Sequence, residues 1–207
     1  HRGHDVDFSY VSEEGGRFRV NVFRKDSGVG AVFRSIPAEV PTLDSLALPP
    51  LVKKLCDHHQ GMILVTGSTG TGKSTTLAAM IDLLNTKRAL NIISLEDPIE
   101  FVHRSKQCQV VQRELGTHLP SFAEGVRAAM REDPDVILVG ELRDPETISM
   151  AMTAAETGHL VLGTLHTTSA VKTIDRMIDA LPADEREQTK SFLAQSLIAV
   201  ITQVLVR

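Results

Sequence analysis

The sequence predicts an α/β fold, a parallel sheet covered by helices on both faces. After Gly61, short apolar runs alternate with stretches of helical spacing, as in Met62–Thr66 followed by Lys73–Asn85. Those runs are continuously apolar, the pattern of strands buried on both faces. A glycine-rich loop, Gly67 to Ser74, joins the first run to its helix.

The first 36 residues read differently. Phe18, Val20 and Val22 alternate with Arg17, Arg19 and Asn21, Lys25–Gly28 is turn-rich, and Ala31–Ile36 returns as a second strand. A hairpin of this size buries no core of its own, so residues 1–36 are expected to end a domain whose beginning lies outside the chain. Pro37, Pro41, Pro49 and Pro50 punctuate 37–50, read as a linker running into a helix near Leu51–His59. Beyond it, Asn91–Glu96 is a second buried strand, and Ser121 to Glu124 is a capping box opening a helix that reaches Arg131. Asp135–Val139 is a third strand. Asp144 and Pro145 start the next helix as N-cap and first residue, Gly158 ends it, and His159–Leu165 is a fourth strand. From Ala183, the spacing of Phe192, Leu193, Leu197, Val200, Ile201, Val204 and Leu205 predicts a helical tail.

The 207 residues carry 22 Lys+Arg against 26 Asp+Glu, a net charge of −4, which argues against attachment to nucleic acid or an anionic membrane by bulk charge. With no Trp, one Tyr and 4% aromatic residues, a base-stacking platform is poorly supplied. Cys56 and Cys108 are too few and too far apart for a disulfide scaffold or a cysteine zinc site, and read as inert thiols in a reducing cytosol. The chain opens on His1 and is expected to be a fragment.

Gly67, Ser68, Thr69, Gly70, Thr71, Gly72, Lys73 and Ser74 match the phosphate-binding pattern G-x-x-x-x-G-K-[ST] between a strand and a helix, with Thr75 next in line. Glycines let backbone N–H groups turn inward onto a β-phosphate, and the helix N-terminus adds positive potential. Lys73 is placed to neutralise the β- and γ-phosphates of ATP, and Ser74 to hold Mg²⁺. The strand ending at Val139 is followed by Gly140 and Glu141, a carboxylate at the carboxyl end of a parallel strand. Gly140 stands where this kind of strand usually carries Asp, so Glu141 acts either on Mg²⁺ through water or on the attacking water itself. Glu96, Asp97 and Glu100 crowd the end of another strand, where they repel unless a cation or ligand sits nearby. Either Glu100 or Glu141 is readable as the base. His159 and His166 bracket the fourth strand and cannot share a metal. His166 lies at the ligand-facing end, placed to sense a γ-phosphate; His159 reads equally well as a satisfied strand-start histidine.

These segments occur in a familiar order. The glycine loop, the acidic box Glu96–Glu100, the run from Arg131 to Asp144 and the box from Glu156 through Thr167 resemble the secretion ATPases, the superfamily driving type II secretion and type IV pili. Within it, Arg17–Phe23, Ala31–Pro37 and Ala154–Asp175 are similar to the pilus-retraction motors. The resemblance implies a RecA-like ATPase domain over 51–207, truncated at its C-terminal end, preceded by the end of a PAS-like α+β domain. It further implies a cytoplasmic homo-hexamer at the inner-membrane face, working on a platform protein of the pilus machine and binding no nucleic acid directly. ATP is then expected between domains, with N-terminal arginines, Arg17 and Arg34 foremost, reaching its phosphates. Pilus-extension and type II secretion ATPases are the near rivals, but the four-cysteine insertion usual in them is missing between Gly158 and Arg207. A RecA-like DNA motor is the rival of another class.

Overall fold

Two sheets organise the chain in a computed structural model, which describes residues 5–13, 16–37 and 39–205. Strands β1 (Val6–Val11), β2 (Arg17–Lys25) and β3 (Gly28–Ile36) form an antiparallel sheet with β2 central. The register sets Phe8, Val20 and Phe33 side by side, and Ser9, Arg19 and Arg34 on the opposite face. Both expected strands are present and longer, because the turn is confined to Asp26 and Ser27, and Lys25 pairs directly with Gly28. β1 was not foreseen from the sequence, although Val6, Phe8 and Tyr10 alternate with polar neighbours.

The remaining elements are α1 (Pro50–Leu55), β4 (Gly61–Thr66), α2 (Lys73–Lys87), β5 (Asn91–Glu96), β6 (Gln109–Glu114), α3 (Phe122–Ala129), β7 (Val136–Val139), α4 (Pro145–Glu156), β8 (Leu160–Leu165), α5 (Ala170–Ala180), α6 (Arg186–Ser196) and β9 (Leu197–Thr202). The six strands order as β6-β5-β7-β8-β4-β9 and are parallel throughout. Every residue of β4, β7 and β8 is buried. Alternation explains how: Met62 and Leu64 join a core with Val126, Ile148, Met177 and Phe192, while Ile63 and Val65 join a core with Leu77, Met80 and Leu84. Each such side chain removed from water contributes about 1.5–3 kcal/mol.

Asp144 caps α4 as expected, accepting from Thr147 N at 2.8 Å and from the Thr147 hydroxyl at 2.7 Å, with Pro145 in the first turn. Burial alone pushes this carboxyl up, but the bonds from Thr147 outweigh it and hold its pKa below the ordinary value. Ser121 accepts from Glu124 N, the first half of the expected capping box, while the Glu124 carboxylate pairs with Arg127. The α1 helix stops at Leu55, short of His59. Cys56 and Cys108 are both buried free thiols, and burial pushes Cys56 up to about 12.

The tail departs from the sequence reading. Helical spacing holds only to Ser196, and Leu197–Thr202 is β9, paired in parallel with β4. Ile198, Val200, Ile201 and Thr202 are β-branched, and a continuous apolar run satisfies helical spacing and a sheet strand equally. The sheet settles it, because β4 gains a second neighbour; Val204 and Leu205, beyond the strand, are exposed. Among the described residues, no helix is long and apolar enough to cross a membrane.

Candidate active site

Because all six strands run the same way, their carboxyl ends share one edge, and the strand order decides which loops meet there. Along it come the acidic box after β5, Glu141 after β7, His166 after β8 and the glycine loop after β4. Residues far apart in sequence are thereby gathered at the position where open α/β sheets bind ligands.

The glycine loop takes its shape from three positive φ values, +144° at Gly67, +82° at Gly70 and +90° at Gly72. At Gly67 a side chain has no room, since a Cβ would lie 2.4 Å from Gln203 O. Gln203, just past β9, also donates from its backbone to Thr66 O at 2.8 Å and from its side chain to the Thr76 hydroxyl at 2.9 Å. The unforeseen sixth strand thus buttresses the loop. No side chain caps α2 at Gly72, which leaves its first N–H groups for an anion. Ser68, Thr69, Gly70 and Ser74 are exposed, while Thr71 and Thr75 are half-buried.

Lys73 is buried, its ammonium donating to Gly67 O at 2.9 Å and Ser68 O at 3.0 Å. Burial lowers its pKa below the ordinary lysine value, and the nearby Glu141 and Glu100 carboxylates act in the opposite sense. Its Nζ lies 3.5 Å from His166 Nδ1, and His166 Nε2 lies 3.1 Å from Glu141 Oε1. One imidazole tautomer serves both, accepting at Nδ1 and donating at Nε2. Arg143 closes the far side of Glu141 with two bonds, at 3.0 and 2.8 Å. Sequence reasoning brought Lys73, Glu141 and His166 to one edge but missed Arg143 as the partner of Glu141. Gly140 has little space for a larger residue: a Cβ would sit 3.0 Å from Leu95 O and 3.3 Å from Glu96 Cα.

Ser74, Glu96, Asp97, Glu100, Gly140 and Glu141 line one open cleft of about 640 Å³, floored by Leu77, Ile81 and Leu138. The three carboxylates of the acidic box are sorted by their surroundings. Glu96 turns back toward the sheet, accepting from Ser94 Oγ at 2.6 Å and Gln112 Nε2 at 3.0 Å, and burial raises its pKa. Burial likewise raises Asp97, with Arg19 pulling it down. Glu100 faces the cleft shared with Ser74 and Glu141. Of the two arginines expected at phosphates, Arg17 reaches this box, donating to Ile99 O at 3.2 Å. Arg34 is exposed, and among the described residues no hydrogen bond or ion pair holds it. His159 sits at the other end of β8, its Nδ1 2.8 Å from Ala154 O at the end of α4. Gln112, Glu114 and Gln203 escaped the sequence reading; for the first two, strand-like Gln109–Glu114 was the signal available.

A glycine-rich phosphate loop after a buried parallel strand, with a lysine, a glutamate and a histidine meeting at the sheet edge, defines a RecA-like P-loop protein. The chain belongs to the Type II/IV secretion system protein family, whose model matches residues 13–207. It is 56% identical over 203 residues to a Neisseria gonorrhoeae twitching motility protein, covering 98% of this chain and 54% of that protein. It is 55% identical over 203 residues to the type IV pilus retraction ATPase PilT of Pseudomonas aeruginosa, covering 98% of this chain and 59% of the relative. A crystal structure of the pilus retraction motor PilT with bound ADP superposes with a TM-score of 0.95 at 51% identity, over 99% of this chain and 60% of that one. The chain therefore spans somewhat over half the length of these relatives.

Proposed function

We propose that the chain is the ATPase core of a hexameric motor that retracts type IV pili. The convergence of Lys73, His166 and Glu141 at the phosphate loop carries this reading, and the names of the relatives give it its direction. In this reading the loop N–H groups and Lys73 hold the β- and γ-phosphates of ATP, which requires the ammonium to leave the Gly67 and Ser68 carbonyls. A water attacks the γ-phosphorus in line, its proton passes to Glu141 or Glu100, and the bond to the β-phosphate oxygen breaks to release ADP. His166 reports the state of the γ-phosphate to Glu141. Ser74 and Glu141 offer oxygen donors that suit Mg²⁺, and among the described residues no cluster of three or more acidic, histidine or cysteine side chains forms a closed protein cage. When bound, Mg²⁺ offsets the charge developing on the phosphates.

Arg17 and Arg34 complete the phosphate site from the N-terminal sheet, read here as the end of a PAS-like domain, so that hydrolysis moves one domain against the other. We place the motor in the cytoplasm at the inner-membrane platform of the pilus machine. The test is Lys73→Ala in the full-length protein. Hydrolysis is expected to fall on the order of 10²–10³-fold, because the transferring phosphate loses a fixed counter-charge; near-normal turnover overturns the nucleotide assignment. In the source cell, deletion of the gene is expected to leave excess surface pili without twitching, whereas loss of pili would instead indicate assembly.

A further inference from the structure

A polar network joins the N-terminal sheet to the loop carrying Glu100, and of its members only Arg17 has been given a role above. Glu114, at the end of β6 and only 8% exposed, accepts from Ile99 N at 3.0 Å through Oε2. The same oxygen accepts from Ser9 Oγ of β1 at 3.4 Å, and Oε1 accepts from the Thr117 hydroxyl at 3.3 Å. The other side of the Ile99 residue is also tied, its carbonyl accepting from Arg17 of β2 at 3.2 Å. Two residues earlier on the same face of β6, Gln112 fastens the rest of the loop. Its Nε2 donates to Phe101 O at 2.8 Å and its Oε1 accepts from His103 N at 2.8 Å.

Ile99 is thus held between β6 and the N-terminal sheet, one residue before Glu100. A charge-assisted bond from a backbone N–H to a buried carboxylate is among the stronger and more directional restraints available. Displacement of a catalytic group by about 1 Å costs on the order of 10²-fold in rate. We propose that Glu114 is a positioning residue: it seats the 97–103 loop so that Glu100 faces the cleft, and through Ser9 it makes that seat depend on the N-terminal sheet. The proposal rests on the reading of the chain as an ATPase with Glu100 in its site.

The experiment uses the full-length protein and four variants: Glu114→Ala, Glu114→Gln, Ser9→Ala and the Ser9→Ala/Glu114→Ala pair. Steady-state hydrolysis, affinity for a fluorescent ADP analogue and amide exchange over Ile99–Phe101 are measured for each. Glu114→Ala should lower kcat about tenfold with the analogue Kd changed less than about twofold, a split that general loss of structure does not produce. Glu114→Gln should recover most of the loss, because its amide oxygen still accepts from Ile99 N. Ser9→Ala should lower kcat about two- to threefold alone and have no further effect beside Glu114→Ala. Exchange at Ile99–Phe101 should quicken in Glu114→Ala and Ser9→Ala without nucleotide.

Unchanged kcat and exchange in Glu114→Ala, a Kd that weakens in step with kcat, or a Ser9→Ala effect that simply multiplies with Glu114→Ala overturns the proposal. Should Glu114→Ala fail to fold, Ser9→Ala decides alone, since it removes one hydroxyl from a surface strand; unchanged kcat and exchange there also overturn it. The two readings fail differently. Hydrolysis that survives Lys73→Ala sinks the ATPase reading, whereas a normal Glu114→Ala beside a dead Lys73→Ala sinks only the positioning role.

Discussion

The two sheets make opposite uses of similar residue types. Every residue of β4 and β8 is buried, and the six-stranded sheet is packed on both faces. In the three-stranded sheet only Val20 and Ile36 are buried, while Phe8, Tyr10, Val29, Val32 and Phe33 stay exposed. Named polar contacts link that sheet to the core, Arg17 with Ile99 O and Ser9 with Glu114. One sheet supplies stability and a fixed edge for Lys73, Glu141 and His166. The other supplies position, through bonds weak enough individually to be exchanged.

The contrast can be broken at its strongest point by Glu141→Gln. It removes a carboxylate held by Arg143 and His166, and phosphate release by the full-length protein should slow by roughly 10²–10⁴-fold while ATP binding largely persists. Loss of ATP binding instead would assign Glu141 to holding the nucleotide. Next in size, Ile63→Ala in the centre of β4 should cost about 2–5 kcal/mol of stability in urea titrations, because the filled core cannot collapse around the gap. A loss below 1 kcal/mol there would mean that the central sheet is far softer than its burial implies.

A smaller, pH-dependent effect is expected at Glu96. Its pKa is raised by burial, so the folded state holds that proton more tightly than the unfolded chain does. The stability this contributes is fully present below the unfolded carboxylate value and is lost as pH rises through the folded one. Glu96→Gln keeps the neutral shape and should gain on the wild type as pH rises above the unfolded carboxylate value, read from urea midpoints across a pH series. A gap independent of pH would show that Glu96 ionises without penalty. Smallest of all, Phe33→Ala in the exposed sheet should cost less than about 1 kcal/mol, chiefly its edge-on contact with Phe18. A cost matching Ile63→Ala would erase the distinction between the two sheets.

What could be read directly was whatever is written locally. The phosphate loop, the Asp144 cap and the buried strands β4, β5, β7 and β8 each declare themselves within a dozen residues. β9 did not, because Leu197–Thr202 satisfies two periodicities and only its place beside β4 chooses between them. β6 was missed: Val110 and Val111 hint at a strand, but Gln112, Arg113 and Glu114 interrupt the apolar pattern of this edge strand. The acidic box was legible as a cluster but not as three environments. That Glu96 turns toward Ser94 and Gln112 while Glu100 faces the cleft depends on β6, which the sequence reading missed. Ser9 and Glu114 lie 105 positions apart, beyond the reach of any local pattern.

Gly140 has a consequence for how such a site can change over generations. Two of the four glycine codons lie one nucleotide substitution from aspartate, so Gly140→Asp can arise in a single step. Each time, its Cβ would press on the backbone of Leu95 and Glu96, and the neighbouring strand would have to yield by a few tenths of an ångström. The mutation is near in the genetic code and remote in the molecule. With this spacing between β5 and β7, the acid sits without that crowding one residue further out, at Glu141, where the chain leaves the sheet.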